Sequence, residues 1–226
     1  MAHNMMNNTE AVIFDLDGSL VDSMWLWRAI DVEYLGSFGI PLPEDLQSRI
    51  EGMSFHETAL YFKDNFTGIT HSVEQIKETW NRMAWDKYAN EVPLKPGIPA
   101  FLSHCRDRGI RLGIATSNSR ELVTNVTKAH GLEDCFACIM TGSEVTRGKP
   151  APDIYLAVAR TLDVEPARCL VFEDIIPGIL AGKAAGMRVC AVEDAYSAKD
   201  REKKKSLADY FIEDYSEIME GQARIS

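Results

Sequence analysis

The chain has 226 residues, a formal net charge of -10 and 46% hydrophobic residues. That is enough apolar material for one large domain, or for a medium domain carrying a small insertion. The acidic balance argues against nucleic acid or an anionic membrane surface as the main partner, and no apolar run reaches the length of a membrane span. Five cysteines (Cys105, Cys135, Cys138, Cys169 and Cys190) make an odd set, partly in apolar runs, and read as reduced thiols of a cytosolic protein. The Cys135–Cys138 spacing has no second pair to complete a zinc site.

Met1 to Glu10 is polar, rich in Asn, and reads as a loose leader. Ala11 to Phe14 is apolar on both faces, the pattern of a strand in a parallel sheet covered on both sides. It runs into Asp15-Leu16-Asp17-Gly18. If the backbone is still extended there, the two carboxylates point to the same side. At a separation of about 4 Å they repel by roughly 4 kcal/mol at an effective dielectric near 20. Such a pair needs a shared proton or a cation.

Met24 to Phe38 predicts a helix, with Trp25, Leu26, Ala29, Ile30 and Val32 on its apolar side and Arg28 and Asp31 facing away. Trp25 and Trp27 cannot share a helix face, so at most one reaches a cleft. Ile40-Pro41-Leu42-Pro43 breaks the pattern. His56 to Phe66 predicts a second helix. Ser72 and Gln75 form a capping box for a third, along which Val73, Ile76, Trp80, Met83 or Ala84, and Tyr88 recur at helical spacing. Residues 23–93 therefore read as an all-helical cap domain, and residues 1–22 and 94–226 as the core.

Alternation follows. A helix ends at Gly109. A strand over Arg111 to Ala115 leads into polar Thr116-Ser117-Asn118-Ser119, then a helix from Arg120 to His130. Next come a strand over Ala137 to Met140, a loop from Gly142 to Pro152 carrying Lys149, and a helix from Asp153 to Leu162. The strand Cys169 to Phe172 ends in Glu173-Asp174. A helix from Gly178 to Ala185, a strand from Arg188 to Val192, a short strand at Tyr210 to Ile212 and a helical turn at Tyr215 to Met219 complete the order. Lys203-Lys204-Lys205 reads as a solvated face. His56, His71, His104 and His130 read as surface or helix-end residues, and Asp22 as structural or at the margin of a site.

This order implies an α/β fold: a Rossmann-like parallel-sheet core in three layers (αβα), with an inserted all-helical cap. Parallel crossovers put the carboxyl ends of the strands along one edge, where ligands bind. There Asp15, Asp17, Glu173 and Asp174 offer hard oxygen ligands that suit Mg²⁺. Thr116, Ser117 and Asn118 offer hydroxyl, amide and backbone donors at a strand-to-helix turn, placed both to bind phosphate oxygens and to cap the next helix. Lys149 adds positive charge for a phosphoryl group. One carboxylate can attack phosphorus, and a second can move the proton.

Asp15-Leu16-Asp17-Gly18-Ser19-Leu20-Val21-Asp22-Ser23 resembles the first motif of the haloacid dehalogenase superfamily of phosphohydrolases. Thr116 resembles its second motif, and Lys149 in Gly148-Lys149-Pro150-Ala151-Pro152-Asp153 its third. Phe172-Glu173-Asp174, followed by Gly178 and Ala184-Ala185-Gly186-Met187, resembles its fourth. The cap inserted just after the first motif is similar to that of the beta-phosphoglucomutase-like branch. The resemblance implies that Asp15 is the nucleophile and a Mg²⁺ ligand, and that Asp17 is the general acid/base with its backbone carbonyl on the metal. It implies that Thr116 and Lys149 bind the phosphoryl group beside Ser117 and Asn118. Asp174 would complete the metal shell, with Glu173 sharing it. The implied activity is a cytoplasmic, monomeric phosphatase of a small phosphorylated metabolite, a sugar phosphate among the candidates, acting through an aspartyl phosphate.

Hexose-phosphate mutases of this branch carry an Arg in the cap loop that here reads Glu51-Gly52-Met53-Ser54-Phe55-His56-Glu57, and Phe55 takes its place. The cap Lys of phosphonate-cleaving relatives is also absent. Both departures favour phosphatase over phosphomutase. A non-enzymatic phospho-acceptor and a degenerate binding module are the alternatives from another class. Ile175 stands where relatives often have a small polar residue.

Overall fold

The computed structural model describes residues 5–219 and 224–225. Among them, seven strands form one sheet: β1 (Ala11–Phe14), β2 (Arg111–Thr116), β3 (Cys138–Thr141), β4 (Cys169–Glu173), β5 (Arg188–Val192), β6 (Tyr210–Ile212) and β7 (Arg224–Ile225). Their order is β3-β2-β1-β4-β5-β6-β7, parallel throughout except for antiparallel β7 at the edge. β1 is central and wholly buried, which explains its apolar character on both faces. Val12 and Phe14 pack on one side of the sheet, Ala11 and Ile13 on the other, as the two-residue period requires.

Four helices follow β1: α1 (Met24–Gly36), α2 (Leu46–Ile50), α3 (Phe55–Asn65) and α4 (Val73–Asn90). The Ser72–Gln75 capping box starts α4 as predicted, and Ile76, Trp80, Ala84 and Tyr88 form its buried side. A second box, Ser54 with Glu57, starts α3. Phe62 meets Trp80 edge-on at 4.9 Å, and Tyr34 meets Trp80 at 5.7 Å. The apolar side predicted for α1 is rotated. Trp25, Ala29 and Val32 are exposed, whereas Asp31 is buried with Leu26, Ile30, Tyr34 and Leu35. The cause is tertiary: α1 lies along a cavity, and the polar Asp31 turns inward to it.

The remaining helices complete the layers. On the Phe14 side lie α5 (Ile98–Asp107), α6 (Arg120–Ala129) and α10 (Ser216–Met219). Phe14 stacks on Phe172 at 5.4 Å there, with Phe101 and Tyr215 around the pair. On the Ile13 side lie α7 (Asp153–Leu162), α8 (Ile176–Ala184) and α9 (Arg201–Leu207). Two expectations are corrected here. Lys204, read as solvated, is fully buried, and its ammonium donates to Val192 O and to Ser197 Oγ. The predicted leader is anchored from residue 5: Met5 and Met6 are buried, and Arg188 donates to Met5 O and Asn7 O. Residues 1–4 of that leader lie outside the described residues. No helix among the described residues is long and apolar enough to cross a membrane.

Candidate active site

β1 lies between β2 and β4: the chain builds β2 and β3 on one side of it and then returns to build β4 and β5 on the other, and such switch points open a crevice at the carboxyl ends. β1 stops at Phe14, so the extended path assumed through Asp17 does not exist. The chain turns instead: Leu16 is buried, Gly18 N donates to Val21 O at 2.8 Å, and Gly18 takes φ +83°. A side chain at Gly18 would collide with the Asp174 carboxylate. Asp15 and Asp17 are therefore set apart by a turn, although both line one cavity.

Asp15 joins Lys149, Glu173 and Asp174 in a buried cluster. The Lys149 ammonium lies 2.5 Å from Asp15 Oδ1 and 2.5 Å from Glu173 Oε1, and it also donates to Ala115 O at 3.3 Å. Tyr155 donates to the same Glu173 oxygen, and Glu173 Oε2 accepts from Asp174 N at 3.2 Å. Ser19 Oγ donates to Asp174 Oδ1 at 3.2 Å, while Asp174 Oδ2 is buried with no partner. Carboxylate oxygens of Asp15, Glu173 and Asp174 all lie within 4.8 Å of one another.

The charges in this cluster do not balance. Burial pushes Asp15 up to about 7, with Lys149 pulling it down and Glu173 and Asp17 raising it further. Burial likewise lifts Asp174 well above the carboxylate range, reinforced by Glu173 and Asp15. Burial opposes the Lys149 charge, but Asp15 and Glu173 outweigh it and keep the amine protonated. Three clustered carboxylates against one ammonium, with an orphaned oxygen on Asp174, are a donor set that fits a hard divalent cation.

Asp17 faces a different environment. Its Oδ1 accepts from Ser23 Oγ at 2.5 Å, Trp27 Nε1 at 3.3 Å and the Tyr88 hydroxyl. Its Oδ2 accepts from Asn118 Nδ2 at 2.9 Å. Burial holds the Tyr88 phenol well above its ordinary range, so Tyr88 stays a donor. Sequence patterning missed Tyr88 because it sits at an apolar helical position; a tyrosine among core residues was the available signal. Trp27, one of the paired tryptophans, faces the cleft, and Trp25 lies outside.

Thr116 is fully buried, and its Oγ1 accepts from Asn118 N at 3.0 Å. Helix capping falls to Ser119 and not to the preceding triplet: Ser119 Oγ accepts from Leu122 N. Thr116, Ser117 and Asn118 all line the cavity of about 150 Å³ with Asp15, Asp17 and Lys149. The helical block closes over it. Phe55 N donates to Ser117 O at 2.8 Å, and Ser119 Oγ donates to Asn81 Oδ1 at 2.7 Å. Phe55 lines the cavity against Trp27 and Trp80, and Ile175 lines it from the loop after β4. Asp22 is exposed at the margin.

The sheet is doubly wound, and its carboxylates and lysine gather at the carboxyl ends of the strands. Over residues 12–192 the chain matches the haloacid dehalogenase-like hydrolases, and it belongs to that family. It is 33% identical over 184 residues to a phosphorylated carbohydrates phosphatase of Thermotoga maritima, covering 79% of this chain and 82% of that one. It is 30% identical over 193 residues to a bifunctional riboflavin kinase/FMN phosphatase of Arabidopsis thaliana, covering 85% of this chain and only half of that longer protein. A crystal structure of CbbY from Rhodobacter sphaeroides in complex with phosphate superposes with a TM-score of 0.84 at 28% identity, covering 95% and 99% of the two chains. By class the chain is a phosphoric monoester hydrolase.

Proposed function

We propose that the chain is a Mg²⁺-dependent phosphatase of a small phosphorylated metabolite, working through an aspartyl phosphate on Asp15. The carrying observation is the contact of Lys149 with Asp15 inside the carboxylate cluster, while Asp17 is held apart on its own set of donors. In this reading the helical block, residues 23–93, is a cap domain over a core of residues 1–22 and 94–226. Residues Gly18 to Asp22 are the exit through which it opens and closes.

Lys149 and Thr116, with Ser117 and Asn118, bind the phosphoryl oxygens and hold phosphorus in line with Asp15. Thr116 Oγ1 accepts from Asn118 N, which leaves its own proton to donate into the cavity. An Asp15 oxygen attacks phosphorus, and the bond from phosphorus to the leaving oxygen breaks as Asp17 delivers its proton there. Asp17 then takes a proton from water, the water oxygen attacks phosphorus, and the Asp15–phosphorus bond breaks. Asp15 and protonated Asp17 are restored and inorganic phosphate leaves. Asp15, Asp174 and the Asp17 carbonyl, with Glu173 in support, would hold Mg²⁺, whose charge would offset that of the phosphoryl oxygens. Glu173 acts mainly on Lys149, because both of its oxygens already accept bonds.

A phosphomutase must retain a second phosphate, and Lys149 is the only Lys or Arg among the described residues lining the cavity. That supports hydrolysis over mutase chemistry. The carbohydrate phosphatase relative supports a sugar phosphate as substrate. We place the protein in the cytoplasm as a monomer; its five cysteines are all unpaired and four are buried, as suits a reducing compartment. The test is phosphate release from an aryl phosphate with and without Mg²⁺. Turnover that requires Mg²⁺ and is lost in Asp15→Asn is expected; full turnover by Asp15→Asn overturns the reading.

A further inference from the structure

Asp31 was set outside the site by its sequence pattern, yet it lines the same cavity as Asp15. It lies one helical turn beyond Trp27 on α1, and Trp27 touches Asp17. Asp31 is only 7% exposed, it lines the cavity, and the charge of Arg28 acts on its carboxyl. A mostly buried carboxyl on a cavity wall is costly unless a polar group in the cavity meets it. Trp80 lines the same cavity with its ring, and its indole N–H is buried without a partner among the described residues. The Asp31 carboxyl on the cavity wall can meet a hydroxyl, which donates to a carboxylate and accepts from a carboxylic acid.

The charge of the wall narrows the ligand further. Glu51 and Gln47 line the cavity together with Asp31, and no Lys, Arg or His besides Lys149 does so among the described residues. Lys149 is committed to Asp15 and Glu173 at the reacting end. A second phosphate or a carboxylate on the substrate would therefore meet the Asp31 and Glu51 carboxyls on a wall that, among the described residues, carries no cation besides Lys149. Phe55, Trp27 and Trp80 offer ring faces to a carbon chain.

We propose that Asp31 is the specificity residue of this site, hydrogen-bonding a hydroxyl on an uncharged polyhydroxylated end of the substrate and rejecting substrates with a second anionic group. The proposal rests on the phosphatase reading above. Burial raises the Asp31 carboxyl to about 7, opposed by Arg28, and a hydroxyl satisfies the protonated and ionised forms alike.

The experiment compares kcat/KM of the Mg²⁺-loaded wild type, Asp31→Asn, Asp31→Ala and Asp31→Lys on an aryl phosphate, a hexitol monophosphate and a hexose bisphosphate. The wild type is expected to favour the hexitol monophosphate over the bisphosphate by about tenfold or more. Asp31→Ala should lower kcat/KM for the hexitol phosphate about tenfold more than for the aryl phosphate, chiefly through KM. Asp31→Asn keeps part of that loss at bay because its amide still meets a hydroxyl, and Asp31→Lys should move preference toward the bisphosphate. Equal losses on all three substrates in Asp31→Asn, or a wild type that prefers the bisphosphate, overturn the proposal. Absence of aryl phosphate turnover by the wild type overturns the phosphatase reading instead.

Discussion

Tyr88 and Asp17 are 71 residues apart in sequence, and the Tyr88 hydroxyl donates to the Asp17 carboxylate. The donor comes from the last helix of the inserted block and the acceptor from the turn after the first strand. Closure of the block and orientation of the proposed proton donor are thereby one event. Tyr88 also receives the Trp27 indole N–H at 2.9 Å and the Asn118 amide at 3.0 Å, so its oxygen is the junction of the group.

Tyr88→Phe should lower kcat about tenfold, the scale of a lost hydrogen bond to a charged group. The loss should be larger for an alkyl phosphate than for an aryl phosphate, because the poorer leaving group depends more on the proton from Asp17. Steady-state kinetics on both substrates checks this. Thermal unfolding should show a cost of only about 1 kcal/mol, since the ring still fills its place.

Asp174 carries the orphaned oxygen of the carboxylate cluster. Adding Mg²⁺ should raise the unfolding temperature of the wild type through binding to the folded state alone, and a chelator should reverse it. Asp174→Asn should unfold at a higher temperature than the wild type in chelator, because it removes one of three crowded carboxylates, and should lose the Mg²⁺ response. Differential scanning fluorimetry across a Mg²⁺ titration measures both effects.

Asp31 predicts a pH dependence of stability whose sign follows from burial. Its folded carboxyl is raised from 3.8 to about 7, so the folded chain holds a proton that the unfolded chain has released. Stability therefore falls as pH rises through that window. Asp31→Asn has no proton to lose. Its stability relative to wild type should improve by about 2 kcal/mol between pH 5 and pH 8, as read from urea unfolding at each pH.

The groups at the sheet edge were legible because each sits beside a local signal. Asp15 follows an apolar strand, Glu173-Asp174 follows another, and Thr116 begins a polar run before a helix. Local pattern gives no such help where the partner is distant. Lys204 sits in a lysine triplet that reads as solvated, yet its ammonium serves Ser197, whose hydroxyl in turn donates to Asp174 O. Asp31 looks like the polar side of an amphipathic helix because the cavity beside α1 exists only after folding. Tyr88 has helical core spacing, and its hydroxyl acquires a role only when the block meets the turn after β1. The short helices α2 and α9 were missed for a related reason: five and seven residues carry too little periodicity to register.

Acid-quenched turnover tests directly whether Asp15 takes the phosphoryl group, as proposed. Asp17→Asn should still accept phosphate from an aryl phosphate with a good leaving group but be slow to pass it to water. Mixed rapidly with that substrate and Mg²⁺, it should release about one equivalent of aryl product in a burst. Mass spectrometry of the quenched protein should then find the phosphoryl group on the peptide bearing Asp15. A phosphoryl group on another residue, or continued turnover by Asp15→Asn with no adduct, would contradict the account.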